Sequence, residues 1–190
     1  MTTILDTIKN RRSIYPNMFS GEIIDDEEIH QILESANWAP THKYTEPWRF
    51  TVFKGEGIKK LAEYQSNLYK EVAMKKGTYK EAVFEKLQQN PLKCSHVIAI
   101  GVKIGGQLPE IEETNATAAA VQNMLLTISE FNLGCYWGSG GITYLEEAKP
   151  FFDLEPKDKF MGFLFLGKFD GKWPKGKRAS IDEKVRWVTK

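Results

Sequence analysis

A modest β-sheet covered by helices on both faces is the architecture this sequence predicts, and three observations carry that expectation. Two continuous apolar runs, Val97–Val102 and Phe160–Leu166, have the composition of central strands buried on both sides. Helical patterns open the chain and recur between the strand candidates, so helices are available to cover the sheet. The order does not read as a repeating βαβ array.

The first helix is expected over Thr3–Asn10, with Ile4 and Ile8 on one face. A second is marked by Asp25 as N-cap with Glu28 three residues later, and by Ile29, Ile32, Leu33 and Ala36 at helical spacing before Pro40. Trp48–Phe53 reads as a strand. Residues 57–89, rich in Lys and Glu, read as one long helix or two shorter ones. Asn115–Leu133 is the most informative helix. Ala116, Ala119, Ala120 and Asn123 form a small-residue face, while Val121, Met124, Leu125, Ile128 and Phe131 make much of the circumference apolar. Such a helix belongs in a core or at a subunit interface, and Gly134 is its expected stop. Gly134–Trp137 is a short fourth strand candidate. Thr143 with Glu146 and Ser180 with Glu183 are further capping-box candidates.

The chain has 190 residues, 42% hydrophobic and 27% charged, which fits one domain with its own core, 1–190, carrying a basic tail over 168–190. Lys plus Arg number 26 against 25 Asp plus Glu, a net charge of +1, too weak a field to imply nucleic acid as a general partner. The two cysteines, Cys94 and Cys135, form no disulfide framework. Met1–Asp6 has neither the basic start nor the apolar run of a signal peptide, and no apolar stretch approaches the roughly 20 residues that span a bilayer. A soluble, cytoplasmic protein is expected, with no membrane partner.

No phosphate-binding loop is present, since the run from Gly167 to Trp173 has the wrong spacing and no hydroxyl. Three histidines, His30, His42 and His96, and a lone Cys94-x-His96 pair do not supply a zinc ligand set, so no metal is expected. Three segments remain. Arg11-Arg12-Ser13 combines two guanidinium forks with a hydroxyl, a receptor for phosphate oxygens; the alternative is that these cations merely offset a helix dipole. The run from Ala39 to Phe50 brackets a polar loop bearing His42 and Lys43 between two prolines, either to present donors to a ligand or as an exposed connection. Gly134–Gly141 runs from a strand into closely spaced small residues, a backbone that can approach a planar ligand or simply turn tightly.

Together these segments resemble the FMN-dependent nitroreductase family, particularly its short branch of NAD(P)H nitroreductases. The Ala39–Phe50 stretch is the distinctive part, and the resemblance covers most of the chain. It implies an α+β three-layer sandwich with a mostly antiparallel sheet and FMN held at a homodimer interface. By the same resemblance, Arg11, Arg12 and Ser13 anchor the flavin, and His42 is a flavin contact supplied by the other subunit. Tyr136, Trp137, Gly138 and Ser139 flank the ring and phosphate, and Arg178 belongs to a basic stretch that closes on the phosphate. Trp38 and Gly138 stand where related short members carry Arg, and Glu46 where Gln is common; Trp38 is placed to cover the flavin or narrow the substrate mouth. The implied activity is two-electron transfer from NAD(P)H through FMN to a nitroaromatic, quinone or enone-like acceptor. It proceeds by a ping-pong mechanism, with no catalytic side chain because the flavin carries the chemistry. The alternatives are a flavin-binding sensor or carrier without efficient turnover and an unrelated anion-binding module.

Overall fold

The computed structural model describes residues 3–190; Met1 and Thr2, which open the segment read above for a leader, lie outside them. Helix α1, Ile4–Asn10, starts at Thr3, whose hydroxyl accepts the Asp6 amide while the Asp6 carboxylate accepts the Thr3 amide. Reciprocal capping of this kind satisfies donors that a first turn leaves open. Its inward residue is Thr7, bonded to Glu130, whereas Ile4, Leu5 and Ile8 stand exposed. Helix α2, Asp26–Asn37, has the capping box read from Asp25 and Glu28, and buries Ile29, Ile32 and Ala36.

The 57–89 region resolves into two helices, α3 (Glu56–Lys75) and α4 (Glu81–Gln89), divided at Gly77, whose φ of +66° ends the first. Helix α5 spans Glu110–Glu130, beginning and ending earlier than the apolar pattern suggested. Its stop is Asn132, which takes the left-handed conformation at φ +55°, rather than Gly134. Gly134 lies inside a strand opposite Gly167, and a Cβ on either would run into the Phe19 ring. The two glycines are a notch for that ring, a packing role that sequence punctuation does not reveal.

Strands β1 (Trp48–Lys54), β2 (His96–Val102), β3 (Leu133–Gly138) and β4 (Lys159–Lys168) pair antiparallel throughout in the order β1-β2-β4-β3. One face packs Ile98, Ile100, Leu164, Leu166 and Cys135 against α2 and α5. The small residues Ala116 and Ala120 let α5 approach α2, and the Asn123 amide donates to the Ser35 carbonyl across that contact. The other face packs Val97, Ala99, Phe160 and Phe163 against α3 and the Glu146–Phe152 turn. The result is the expected α+β sandwich of helices, antiparallel sheet and helices.

Two capping expectations separate here. Thr143 caps no helix; its hydroxyl donates to the Gly140 carbonyl at 3.0 Å and tightens the glycine turn instead. Ser180 does accept the Asp182 amide at the head of a short turn in the exposed tail. Among the described residues, no helix is long and apolar enough to cross a membrane.

Candidate functional site

Strand β3 is an edge strand, and the segment after α1 runs beside it. The Ile14 amide donates to the Cys135 carbonyl at 2.8 Å, and the Tyr15 and Tyr136 rings lie 4.6 Å apart. This brings Arg11 and Ser13 alongside the start of β3. The two guanidinium groups diverge, however. Arg12 donates to the carbonyls of Lys9, Arg11 and Pro174, which ties the C-terminal tail to the end of α1. Ser13 is exposed and Arg11 half-buried in the segment beside β3, and the Arg11 charge opposes the effect of burial on Cys135.

Pairing along β3 and β4 sorts the next residues by face. Tyr136 and Gly138 lie opposite Phe165 and Phe163, whereas Trp137 lies opposite Leu164 on the α5 side, its indole N–H donating to the Met161 carbonyl. Tyr136 and Gly138 line a cleft of about 200 Å³ with Phe163, Phe165, Leu87 and Asn90. Its floor is the glycine turn. A Cβ on Gly141, which has φ +68°, would meet Leu87 at 2.5 Å, and one on Gly138 would meet the Tyr136 ring at 2.9 Å. A Cβ on Gly162 would strike the Gly138 carbonyl, so β4 is bare where the turn crosses it. Buried Gln65 fixes the far wall by donating to the Leu87 carbonyl. A side chain at 138 would press on the Tyr136 and Phe165 rings.

A second, larger cleft of about 730 Å³ lies under the tail between Arg12, Asn132 and Trp173–Gly176. It is polar and open, whereas the smaller cleft has the aromatic walls that suit a planar ring. Ser139 is exposed at the turn, outside the aromatic cleft. Arg178 stands exposed in the tail, its guanidinium donating, among the described residues, to the neighbouring Lys177 carbonyl alone.

His42 and Trp38 sit elsewhere. His42 Nδ1 lies 2.5 Å from Glu112 in the first turn of α5, and Trp38 is 81% exposed with its indole N–H on Glu34. Glu112 and Glu130, which flanks Arg12 through Thr7, are separated by most of α5, about 27 Å along its axis. The sheet also stands between α5 and the aromatic cleft. One chain therefore sets Arg11 and Ser13 beside the first half of β3 and Tyr136 and Gly138 in the cleft at its end, while His42 and Trp38 lie on the α2–α5 side of the sheet, away from that cleft.

Neither thiol is built for reaction. Burial pushes Cys94 up to about 12 and raises Cys135 further, so both stay protonated and act as small apolar groups.

Residues 8–168 match the Nitroreductase family. The chain belongs to this family. YdjA of Escherichia coli, named as a candidate NAD(P)H nitroreductase, is 27% identical over 165 residues, 86% of each chain. YfhC of Bacillus subtilis, named likewise, is 28% identical over 188 residues, 96% of this chain and 93% of that one. A nitroreductase-like family protein from Bacillus cereus superposes with a TM-score of 0.84 at 32% identity, covering 99% and 97% of the two chains. A nitroreductase-type protein from Desulfovibrio desulfuricans, solved in complex with FMN, shares the fold at a TM-score of 0.73 and 22% identity. Within this nitroreductase fold Gln65, Leu87 and Asn90 line the aromatic cleft although no motif marks them in the sequence. They come from the α3–α4 region, which carries no motif; only its approach to the glycine turn marks them.

Proposed function

We propose that the protein is an FMN-dependent oxidoreductase that takes electrons from NAD(P)H and reduces nitroaromatic, quinone or enone-like acceptors. The observation that carries the reading is the aromatic cleft at the glycine turn, with Arg11 and Ser13 on the same strand edge. Family membership and the relatives named as NAD(P)H nitroreductases support it.

The residues present fit the cofactor. Gly140, where a Cβ would meet no neighbouring side chain, leaves open backbone at the cleft that a flat heterocycle can approach, and the Arg11 guanidinium with the Ser13 hydroxyl suits a phosphate. Bound FMN supplies the two-electron redox chemistry. The chain's own residues bind and orient: Tyr136, Phe163 and Phe165 exclude water from one side of the ring, and Asn90 offers an amide at its edge. Cys135 stays out of the chemistry, which its burial and protonated state favour.

Size argues for a second copy at the site. An apolar cavity of roughly 150 Å³ holds one benzene ring, so a cleft of about 200 Å³ encloses little more than one of the three fused rings of a flavin. The remainder must project, and His42 and Trp38 of the other subunit are the residues proposed to cover it. The exposed apolar side of α1, with Ile4, Leu5 and Ile8, and the tail beyond residue 168, with exposed Trp187 and Val188, are available for that contact.

The test is direct. The purified protein should be yellow, release FMN on denaturation, bleach anaerobically on mixing with NADH or NADPH, and give parallel double-reciprocal lines in steady-state turnover. A protein that takes up no flavin contradicts the reading; one that binds flavin but is not reduced by either nicotinamide is a carrier rather than an enzyme.

A further inference from the structure

The His42 loop is strained and tied down by neighbouring carboxylates. Lys43, Tyr44 and Glu46 have φ of 53°, 54° and 43°, a left-handed conformation that side chains with a Cβ disfavour. Clusters of such residues persist only where surrounding contacts over-determine them. Here those contacts come from the first turn of α5. Glu112 holds His42 Nδ1 at 2.5 Å, and buried Glu113 accepts the Thr45 hydroxyl at 2.8 Å. Thr41 closes the loop on itself, 3.0 Å from the Thr45 hydroxyl and accepting the Glu46 amide.

We propose that Glu112 is a positioning residue that sets the tautomer and direction of His42 for contact with the flavin of the other subunit, while Glu113 holds the loop that carries it. This rests on the function proposed above. An ionised carboxylate only accepts hydrogen bonds, so the nitrogen facing Glu112 must be the protonated one. The Nε2 atom is then the one presented outward, with its role fixed by the bond on the other side of the ring. An exposed pair like this adds little to stability, so its effect lies in orientation. Helix α5 is a rigid mount for it, since Ala116, Ala120 and Met124 lie in the core one to three turns further on.

The experiment is a double-mutant cycle in the FMN-loaded protein, with Glu112→Gln, His42→Ala and both together. Glutamine keeps the volume but offers either a donor or an acceptor to Nδ1, so it no longer dictates the tautomer. The expected result is FMN affinity lower by about tenfold in Glu112→Gln, the low end of what losing a group that orients a metal-ligating histidine costs, with no further loss when it is added to His42→Ala. The flavin absorption band should shift in Glu112→Gln and His42→Ala alike. Nitrogen-15 imidazole spectra of the flavin-free protein should show His42 protonated at Nδ1, and lose that signature in Glu112→Gln. Parental FMN affinity in Glu112→Gln overturns the proposal, as does a loss that persists in full on the His42→Ala background. If instead the parent takes up no FMN, the functional reading falls; the imidazole spectra then still decide whether Glu112 sets the tautomer.

Discussion

At the scale of single residues, adjacent arginines that look equivalent in sequence do different work. Arg12 spends its guanidinium on three main-chain carbonyls, so its removal should free the tail; limited proteolysis should cut after residue 170 faster in Arg12→Ala than in the parent. Arg11→Ala should weaken FMN by roughly 1.5–3 kcal/mol, the worth of a charge-assisted contact, as read by equilibrium flavin titration. A residue outside the site sets a pH dependence. His96 is buried where β2 begins, with Ser95 on Nδ1 and Asp26, itself paired to Lys54, 3.4 Å from Nε2. Burial holds this imidazole below its ordinary range, against the opposing pull of Asp26. Its folded-state pKa is depressed, so the unfolded chain takes the proton first. The stability it contributes is present above the unfolded value of about 6.5 and declines as pH falls below it. Urea unfolding from pH 7.5 to 5.5 should show that decline, and His96→Gln should flatten it.

At the scale of elements, the strands were legible because each carries its own signal. β2 and β4 are continuous apolar runs, and both prove buried between helix layers. The α2 boundary was legible because Asp25 and Glu28 are local chemistry. What could not be read was set by tertiary approach. Gly134 looked like a helix stop because glycine permits left-handed backbone, yet it serves the Phe19 notch, and Asn132 takes the turn. Leu87 on α4 and Asn90 just after it carry no motif and line the cleft only because α4 folds onto the glycine turn. The run Tyr136–Ser139 read as a single flank, but strand alternation sends Trp137 to the opposite face from Tyr136 and Gly138. Gly162 tests the β3–β4 arrangement. It has φ +95°, and a Cβ there would strike the Gly138 carbonyl, so Gly162→Ala should cost about 1–3 kcal/mol in urea unfolding and weaken FMN. Gly140→Ala, where a Cβ meets nothing within 4 Å, should leave stability within about 0.5 kcal/mol of the parent.

At the scale of the whole molecule, the central claim is that a complete site needs two copies of the chain, because α5 and the sheet keep His42 away from Arg11 and the aromatic cleft. Mixed dimers test this most directly. Arg11→Ala and His42→Ala chains should each form homodimers with weak flavin binding at both sites. After the two proteins are unfolded together and refolded, a dimer with one chain of each kind combines both lesions at one site and leaves the other intact. Flavin titration of the mixture should then show a fraction of sites with parental FMN affinity that neither protein has alone. If the mixture titrates only as the average of its two components, each chain holds its flavin by itself and the shared site is wrong.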